Sequence, residues 1–448
     1  MRLTILGGGG FRVPLVHRAL LNDRAPGRVT EVVLHDVDAG RLAAIGAVLA
    51  EQAAGVPDAP AVTATTLLDE ALRGADFVFS AIRVGGLAGR AADERVALDL
   101  GVLGQETVGA GGIAYGLRTV PVAMALAHRI AELAPAAHVI NFTNPAGLVT
   151  EAMARVLGGR VTGICDSPVG LARRVARALG VDPAAASPDY VGLNHLGWLR
   201  GLRVAGRDEL PRLLADERAL GSFEEGELFG ADWLRSLGAV PNEYLHYYYF
   251  NRETVGAYRS AGRTRGACLR DQQAGFYATA GRPGTGALDA WHRTLADREA
   301  TYMAANRAAA GAGGRAGEDL EPGGYEGVAL ALMRAISRDE PAELILNVRN
   351  GTTLPVLDAD AVVEVVCRVD AAGARPLPTA PLPAHAVGLV TSVKAVEREI
   401  MAAADAGSRS AAVRAFALHP LVDSVSVARR LLDGYVAAHP QLAYLARH

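Results

Sequence analysis

The stretch L-T-I-L-G-G-G-G, residues 3 to 10, is a short apolar run that ends in four consecutive glycines. Apolar side chains at helical spacing follow over residues 13 to 21, so the order of elements is strand, glycine turn and helix. Glycines let a backbone approach a pyrophosphate closely, and the free N–H groups of the helix start hold its charge. The stretch therefore predicts a dinucleotide site, with a glycine turn that binds no nucleotide as the alternative.

A second apolar run, Glu31 to His35, ends at Asp36, where the ribose 2′-hydroxyl of NAD would be bound. A carboxylate there would repel a 2′-phosphate, which favours NAD over NADP. Ligands of a doubly wound sheet lie at the carboxyl ends of its strands, and Arg83 and Asn144 stand at two such ends. The candidate cofactor-binding residues are Gly7, Gly8, Gly9, Gly10, Phe11, Asp36, Arg83 and Asn144.

The alternation of apolar runs and amphipathic segments continues to residue 168 and predicts six parallel strands with helices on both faces. We interpret residues 83–112 as a long polar loop, because loops of that length in a compact domain are usually functional. We predict an α/β fold class whose first domain, residues 1–168, is an NAD-binding, doubly wound (Rossmann-type) parallel sheet.

Beyond Pro168 the pattern changes to two apolar, antiparallel segments, 190–196 and 198–204, followed by long helical stretches with few strands. The Gly/Ala-rich segment from Ala308 to Gly324 is predicted to be a mobile loop. Residues 169–448 are therefore expected to form a C-terminal mixed α+β, mainly helical domain. The whole architecture is expected to be similar to that of lactate and malate dehydrogenases.

The charge balance points to a small-molecule partner. The net charge is -3, so there is no basic face for nucleic acid and no polybasic segment for a membrane. No apolar run approaches the roughly 20 residues that a spanning helix needs. Three scattered cysteines are too few for a disulfide framework and fit a reducing compartment, so we expect a cytoplasmic protein.

Two further runs bring metal-ligating side chains to the same region. V-T-G-I-C-D-S-P, residues 161 to 168, puts Cys165 at the end of a buried strand, and Y-V-G-L-N-H-L-G-W, residues 190 to 198, puts His195 just past another. A thiolate and an imidazole that face one cleft suit Mn, Fe, Co, Ni or Zn. The alternatives are a cysteine of the core and a hydrogen-bonded structural histidine.

Other candidate residues have two interpretations each. Asp166 is either a general acid or the N-cap of the helix that Pro168 opens. Tyr244 is either a base or one more packed aromatic residue. Arg90 and Arg265 are candidates for a phosphate or carboxylate fork, or else solvated surface arginines.

Taken in order, the motifs resemble glycoside hydrolase family 4, the NAD- and metal-dependent glycosidases, most closely the 6-phospho-β-glucosidase branch. The match runs from Met1 to about Tyr249 and resumes weakly at residues 322–325 and 347–351. The motifs that carry it are G-G-G-G-F-R-V-P, R-x-G-G-L-x-G-R-x-x-D-E, G-Q-E-T-x-G-x-G-G, N-F-T-N-P-A-G, G-I-C-D-S-P, Y-x-G-L-N-H-L and N-E-Y-L-H-Y-Y.

The resemblance implies a role for each matched position. Cys165 and His195 match the family's metal ligands, normally of Mn²⁺, with other divalent metals possible. Tyr244 matches the base of the β branch, although Glu243 stands where a proline is more familiar. Asp166 departs from the β branch, because an acid at this position is typical of α-specific members. The implied substrate-binding residues are Arg90, Asn144, Asn194 and Arg265.

The activity that the resemblance implies is cleavage of 6-phospho-β-glucosides. It would proceed by NAD⁺-dependent oxidation at C3, metal-stabilised deprotonation at C2, elimination at C1, addition of water and re-reduction. The C-terminal domain would carry substrate, metal and oligomer contacts, in a homodimer or homotetramer. The alternatives are an α-specific or non-phosphorylated glycosidase of the same family, and an NAD-dependent 2-hydroxy-acid dehydrogenase. The latter would leave Cys165 without a role.

Overall fold

The predicted strands of the N-terminal half are present in the computed structural model, which describes residues 1–281, 284, 286–312 and 324–446. The strands are β1 Arg2–Leu6, β2 Glu31–His35, β3 Ala61–Thr65, β4 Phe77–Ser80, β5 His138–Asn141, β6 Val161–Gly163, β7 Ala186–Leu193, β8 Leu196–Val204, β9 Arg207–Asp208, β10 Val240–Pro241, β11 Ala342–Arg349, β12 Val362–Asp370 and β13 Gly373–Pro376.

Helices cover the sheet and form most of the C-terminal half. They are α1 Val13–Leu21, α2 Ala39–Ala53, α3 Leu68–Leu72, α4 Gly86–Asp99, α5 Gly109–Leu133, α6 Ala146–Leu157, α7 Ser167–Ala178, α8 Leu210–Ala215, α9 Glu217–Leu220, α10 Glu224–Phe229, α11 Ala231–Leu237, α12 His246–Tyr249, α13 Asn251–Ser260, α14 Arg265–Thr279, α15 Ala287–Ala300, α16 Ala304–Ala310, α17 Tyr325–Arg338, α18 Ala384–Ala406, α19 Arg409–Leu418 and α20 Val425–Ala438.

The first six strands are parallel and lie in the order β6-β5-β4-β1-β2-β3, which is the doubly wound order. The predicted Rossmann-type sheet is thus confirmed. The reversal of strand order falls between β1 and β4, so their carboxyl ends open a crevice where ligands of such sheets bind. Gly7 follows β1 and Ala81 follows β4 at this crevice.

The sheet does not stop at β6. Strand β11 pairs with it antiparallel, and β12, β7, β8 and β10 continue in that order. Strands β7 and β8 form the predicted antiparallel pair, and the turn between them is the dipeptide Asn194–His195, with Leu193 opposite Leu196. His195 has φ 60°, in the left-handed region. The mixed α+β character of the C-terminal half is confirmed.

Residues 83–112 are not a loop, so that prediction is wrong. Helix α4 occupies 14 residues of the segment and α5 begins at Gly109. Three of the six buried residues of α4 are charged, namely Arg90, Asp93 and Glu94. Arg118 of α5 donates two hydrogen bonds of 2.7 Å to the Asp93 carboxylate. Arg90 Nε donates to Glu94 Oε1 at 2.9 Å. An apolar periodicity does not reveal a helix when half of its buried residues are charged.

Helix α5 has the length and apolarity of a membrane-spanning helix, and 78% of its most apolar window is buried inside the protein. That burial is typical of a core helix, and α6 and α18 pack against it. The predicted mobile loop from Ala308 to Gly324 lies largely outside the described residues, and α16 covers its first positions.

Two buried histidines are expected to make the fold sensitive to acid. Burial lowers the pKa of His246 and of His419 to about 4 in each case. Both accept a hydrogen bond on Nδ1, from Asn306 Nδ2 at 3.1 Å and from Leu421 N at 3.1 Å, so both must be neutral in the folded state. The unfolded chain takes up protons below about pH 6.5, so this stability is present above pH 6.5 and is lost as the pH falls towards 4.

The variant His419→Asn tests this expectation, because an amide oxygen can still accept from Leu421 N and does not titrate. We expect its thermal unfolding midpoint to fall less than that of the wild type between pH 7 and pH 5. Equal acid sensitivity of the two proteins would show that His419 contributes nothing to it.

Candidate active site

One cavity of about 1430 Å³ lies at the carboxyl ends of the parallel strands and is closed by residues of the C-terminal half. Almost all of the predicted site residues line it. The exceptions are Gly8, Gly9 and Asn194, whose positions are described below. The structure thus brings the predicted nucleotide turn, the thiol, the imidazole and the phenol to one space.

The glycine turn is packed too tightly for side chains. Gly7 has φ 82°, and a Cβ on it would lie 2.6 Å from the Ala81 carbonyl oxygen. A Cβ on Gly8 would lie 2.7 Å from the Leu34 side chain, so Gly8 packs against β2 instead of lining the cavity. No side chain caps the start of α1, but Val13 N donates to Gly10 O at 3.0 Å, Leu15 N donates to Arg12 O at 3.1 Å, and Pro14 has no N–H. What favours an anion here is the positive end of the helix dipole together with the close approach that the glycines allow. The turn therefore fits a pyrophosphate.

Asp36 is held at the edge of this turn. Its Oδ2 accepts a hydrogen bond from Gly9 N at 3.1 Å, and its Oδ1 accepts one from Asp38 N at 3.2 Å. Both bonds fix the carboxylate at the end of β2, in the position expected for a ribose hydroxyl acceptor. Gly9 therefore orients Asp36 and does not line the cavity itself.

Three aromatic residues of the C-terminal half hold the backbone of the turn, and the sequence analysis assigned none of them to the site. Each donates to one carbonyl: Tyr277 Oη to Gly9 O at 2.8 Å, Trp291 Nε1 to Phe11 O at 2.8 Å, and Tyr325 Oη to Arg12 O at 2.7 Å. Because these donors come from α14, α15 and α17, the turn is shaped by both halves of the chain.

Cys165 and His195 form the candidate metal pair. Cys165 is a buried free thiol, and burial, with Glu364 and Asp166, raises its pKa well above the ordinary value. His195 Nδ1 is hydrogen-bonded to Thr107 Oγ1 at 2.7 Å, which leaves Nε2 for a metal. Burial lowers the pKa of His195 to about 4, so the imidazole is neutral, as a ligand must be.

In the described ranges, no group of three or more His, Cys, Asp or Glu side chains is arranged to hold a metal. A cation at Cys165 and His195 would therefore have two side-chain ligands and would leave its other positions to substrate oxygens and water. A thiolate and a neutral imidazole are a donor set that transition metals accept. The residues present fit such an ion.

Asp166 does not cap α7. It occupies the N-cap position, but its side chain makes no capping bond, so the capping interpretation is wrong. Arg12 Nη2 donates to its Oδ2 at 2.9 Å instead, and the Arg12 guanidinium lies over the Tyr325 ring, 4.4 Å from its centroid. Burial favours the neutral acid, yet Arg12 holds the pKa of Asp166 below its ordinary value. The side chain is thus an ion-paired carboxylate.

Tyr244 stacks directly on His195, with ring centroids 3.6 Å apart and planes 2° from parallel. Its hydroxyl lies 3.2 Å from that of Tyr302, and the neighbouring Glu243 accepts from Ser167 Oγ at 2.6 Å. Burial, followed by the Glu243 carboxylate, raises the pKa of Tyr244 well above 10. A phenol in this place needs a nearby positive charge before it can act as a base.

The cavity also contains a group of arginines. Glu106 pairs with both Arg83 and Arg90, and these two hold its pKa far below the ordinary value although burial opposes them. Arg265 Nη2 instead donates to the carbonyl of Arg298 at 2.7 Å. Burial, and then Arg12, lower the pKa of Arg298 to about 10. The crowding of positive charge around Arg298 and Arg265 favours an anionic ligand.

The remaining two candidates differ from one another. Asn144 lines the cavity beside the strand ends. Asn194 is not among the residues that line the cavity, and its Nδ2 donates to Glu364 Oε1 at 3.1 Å. We therefore do not propose a direct substrate contact for Asn194.

A Rossmann-type sheet, a glycine turn shaped for a pyrophosphate and a thiol–imidazole–phenol group in one crevice define a dinucleotide-binding α/β enzyme. Comparison with known proteins then specifies the family. The model described as "Family 4 glycosyl hydrolase" matches residues 2–181, and the one described as "Family 4 glycosyl hydrolase C-terminal domain" matches residues 190–422. The chain belongs to family 4 of the glycosyl hydrolases, so the resemblance of its motifs is confirmed.

Individual relatives agree with this assignment. The chain is 32% identical to a probable 6-phospho-beta-glucosidase of Bacillus subtilis, over 99% of this chain and 97% of the relative. A 6-phospho-alpha-glucosidase from gut microorganisms, solved with NAD and Mn²⁺, is similar with a TM-score of 0.81, 26% identity and 97% coverage of both chains. The 6-phospho-beta glucosidase of Thermotoga maritima, solved with NAD and glucose-6-phosphate, gives a TM-score of 0.81, 25% identity and 99% coverage of both.

Proposed function

We propose that the protein is an NAD⁺- and Mn²⁺-dependent glycosidase that cleaves 6-phospho-β-glucosides. The observation that carries the proposal is the shared cavity, in which the glycine turn faces the stacked pair His195 and Tyr244 together with Cys165. A simple dehydrogenase of 2-hydroxy acids would use a histidine and an arginine but would give the thiol no role. The family match favours the glycosidase.

Each residue of the cavity would have its own role in binding or in proton transfer. Gly7, Gly10 and Asp36 hold the nucleotide, and Cys165 and His195 hold the cation. When bound, NAD⁺ would supply a hydride acceptor for C3, and Mn²⁺ would supply Lewis-acid polarisation of the sugar oxygens. With C3 oxidised, the C2 proton is acidic, and Tyr244 removes it, which allows the C1 oxygen to leave.

The phosphate is proposed to bind at the crowded arginines. Arg265 and Arg298 both line the cavity, and Arg298 lies 3.5 Å from Glu299. Arg265 donates to the neutral oxygens of Thr301 and Arg298, so its positive charge is one that a dianionic phosphate would balance. Arg90 also lines the cavity, but Glu94 and Glu106 already neutralise its guanidinium. We therefore expect Arg90 to orient the neighbouring loop more than to bind phosphate.

Preference for the β anomer is supported by the Arg12–Asp166 pair. An acid at position 166 could protonate a leaving group, but a carboxylate held by Arg12 at 2.9 Å has no proton to give. A 6-phospho-α-glucosidase is the second candidate, because Asp166 is present at the position where α-specific members carry an acid. Opening of the Arg12 contact in the substrate complex would favour that candidate.

A panel of aryl glycosides tests the substrate class. It contains α- and β-glucosides and galactosides, each with and without a 6-phosphate, and the released aryl group is measured in the presence of NAD⁺, Mn²⁺ and a thiol reductant. We expect turnover of the 6-phospho-β-glucoside. Turnover limited to the α-anomer would support the second candidate, and turnover of unphosphorylated glycosides alone would remove the arginines from their proposed role.

Asp36 is expected to decide between NAD and NADP. The variant Asp36→Asn can still accept from Gly9 N but loses the negative charge that would meet a 2′-phosphate. Since juxtaposed like charges cost several kcal/mol, we expect the preference for NAD⁺ over NADP⁺ to fall by about 100-fold. Fluorescence titration with both nucleotides measures it, and Asp38→Asn, which removes a neighbouring carboxylate, is the control. An unchanged preference in Asp36→Asn would contradict the assignment.

We further propose a division of the chain at residues 168 and 169, a homodimer or homotetramer, and a cytoplasmic location. The location follows from the need to keep Cys165 reduced as a metal ligand. Chemical cross-linking and sedimentation of the purified protein measure the oligomer directly.

A further inference from the structure

Glu364 is a fully buried carboxylate on β12, next to the hairpin that carries His195. It accepts three hydrogen bonds: from Asn347 Nδ2 at 2.8 Å and Asn194 Nδ2 at 3.1 Å on Oε1, and from Tyr190 Oη at 3.2 Å on Oε2. A buried acid normally needs such donors, since its desolvation is costly. Here they come from three different strands or turns, so the group ties these segments together.

The strand register places Glu364 between the two segments that carry the metal pair. Asn347 of β11 is opposite Gly163 of β6 on one side and opposite Glu364 on the other, and Glu364 is opposite Gly192 of β7. Gly163 lies two positions before Cys165. A Cβ on Gly163 would lie 2.8 Å from the Asn347 Cβ, so a glycine is needed for β6 to pair with β11 at this position.

The charge of Glu364 is not balanced in the same way as that of other buried acids. Asp93 is paired with Arg118, and Glu151 with Lys394. For Glu364, no ion pair is found with any cationic side chain in the described part of the chain. Burial raises the pKa of Glu364 to about 7, against its three hydrogen-bond donors.

We propose that Glu364 is a positioning residue for the cation site: it holds the Asn194–His195 turn beside the strand leading to Cys165, and in its ionised form it places a negative charge behind the pair. This inference rests on the metal site of the proposed function. Outer groups that hold ligands in place typically change metal affinity by about 10- to 100-fold when they are removed.

Two variants separate the charge from the tether. In Glu364→Gln the amide oxygen can accept from Asn194 and Asn347, and the amide N–H can donate to Tyr190 Oη, so only the charge is lost. In Asn194→Ala the charge stays and the tether to the turn is lost. Glu397→Gln is the matched control, because Glu397 is a largely buried carboxylate that pairs with Lys394.

The experiment measures Mn²⁺ binding to the purified full-length proteins by electron paramagnetic resonance of free Mn²⁺, with NAD⁺ affinity and the thermal midpoint recorded for each. We expect the Mn²⁺ Kd to rise about 10- to 100-fold in Glu364→Gln and in Asn194→Ala, with unchanged NAD⁺ affinity. We expect no change in Glu397→Gln.

Wild-type Mn²⁺ affinity in both Glu364→Gln and Asn194→Ala would overturn the role of Glu364 and leave the proposed function intact. If Glu364→Gln does not fold, unchanged affinity in Asn194→Ala alone overturns the tether. Failure of the wild type to bind Mn²⁺, with no difference in Cys165→Ser, would overturn the proposed metal site and this inference together.

Discussion

Replacing Cys165 with serine is expected to abolish Mn²⁺-dependent turnover. A serine hydroxyl stays protonated and is a hard, neutral donor, whereas the cysteine can bind a transition metal as a soft thiolate. Because Cys165 is one of only two side-chain ligands assigned to the cation, the loss should exceed the effect of an outer residue, so we expect the Mn²⁺ Kd to rise by more than about 100-fold. Loss of Lewis-acid polarisation, worth several kcal/mol, should lower kcat/KM by about 1000-fold or more.

The control for this variant is Cys268→Ser. Cys268 also lines the cavity and is partly accessible, but no metal role is assigned to it. Its replacement should leave Mn²⁺ binding and turnover unchanged, which separates metal ligation from general sensitivity of thiols in the cavity. Turnover by Cys165→Ser at the wild-type rate, or turnover that survives EDTA, would refute the metal assignment.

Replacing Tyr244 with phenylalanine is expected to stop proton removal at C2. General base catalysis contributes about 10²- to 10⁴-fold, and we expect a fall in kcat of that size with a smaller change in KM. The ring and its stack on His195 remain in the variant, so only the hydroxyl is tested. In D₂O the wild type should place deuterium at C2 of the product, and Tyr244→Phe should place none during the same time.

Tyr249→Phe provides the matched control, because Tyr249 accepts a hydrogen bond from Trp198 Nε1 outside the cavity. It should retain both rate and labelling. Tyr302 lies within hydrogen-bonding distance of Tyr244, so Tyr302→Phe shows whether the neighbouring phenol shares the role. Full labelling of product by Tyr244→Phe would remove Tyr244 from its proposed position as the base.

The parallel half of the fold was predictable because its strands are short apolar runs that end in glycine or polar residues. Strand β2 coincides with its apolar run, Glu31 to His35, and β1 begins one residue before the run that starts at Leu3. Helix α4 was missed because three of its six buried positions are Arg90, Asp93 and Glu94, which a hydrophobic pattern predicts to be solvent-exposed. The continuation of the sheet from β6 to β11 joins strands that are far apart in sequence, and no local pattern encodes that pairing.

The residues of the site, like the elements of the fold, include some that the sequence predicts and some that it does not. Its chemical groups lie at strand ends and in a hairpin turn, and sequence motifs can mark such positions. Their partners come from remote segments, so the sequence could not show them. Arg12, 154 positions away, binds Asp166, whose side chain does not cap α7. Glu364 is 170 positions from Asn194 and had no motif of its own.

The central claim is that glycoside cleavage by this protein requires both a nicotinamide cofactor and a divalent metal. The most direct measurement uses protein freed of nucleotide and metal, supplied with an aryl 6-phospho-β-glucoside under reducing conditions. Release of the aryl group is followed after addition of NAD⁺ alone, Mn²⁺ alone, or both. We predict release only with both, without steady accumulation of NADH, and release in the absence of NAD⁺ would contradict the account.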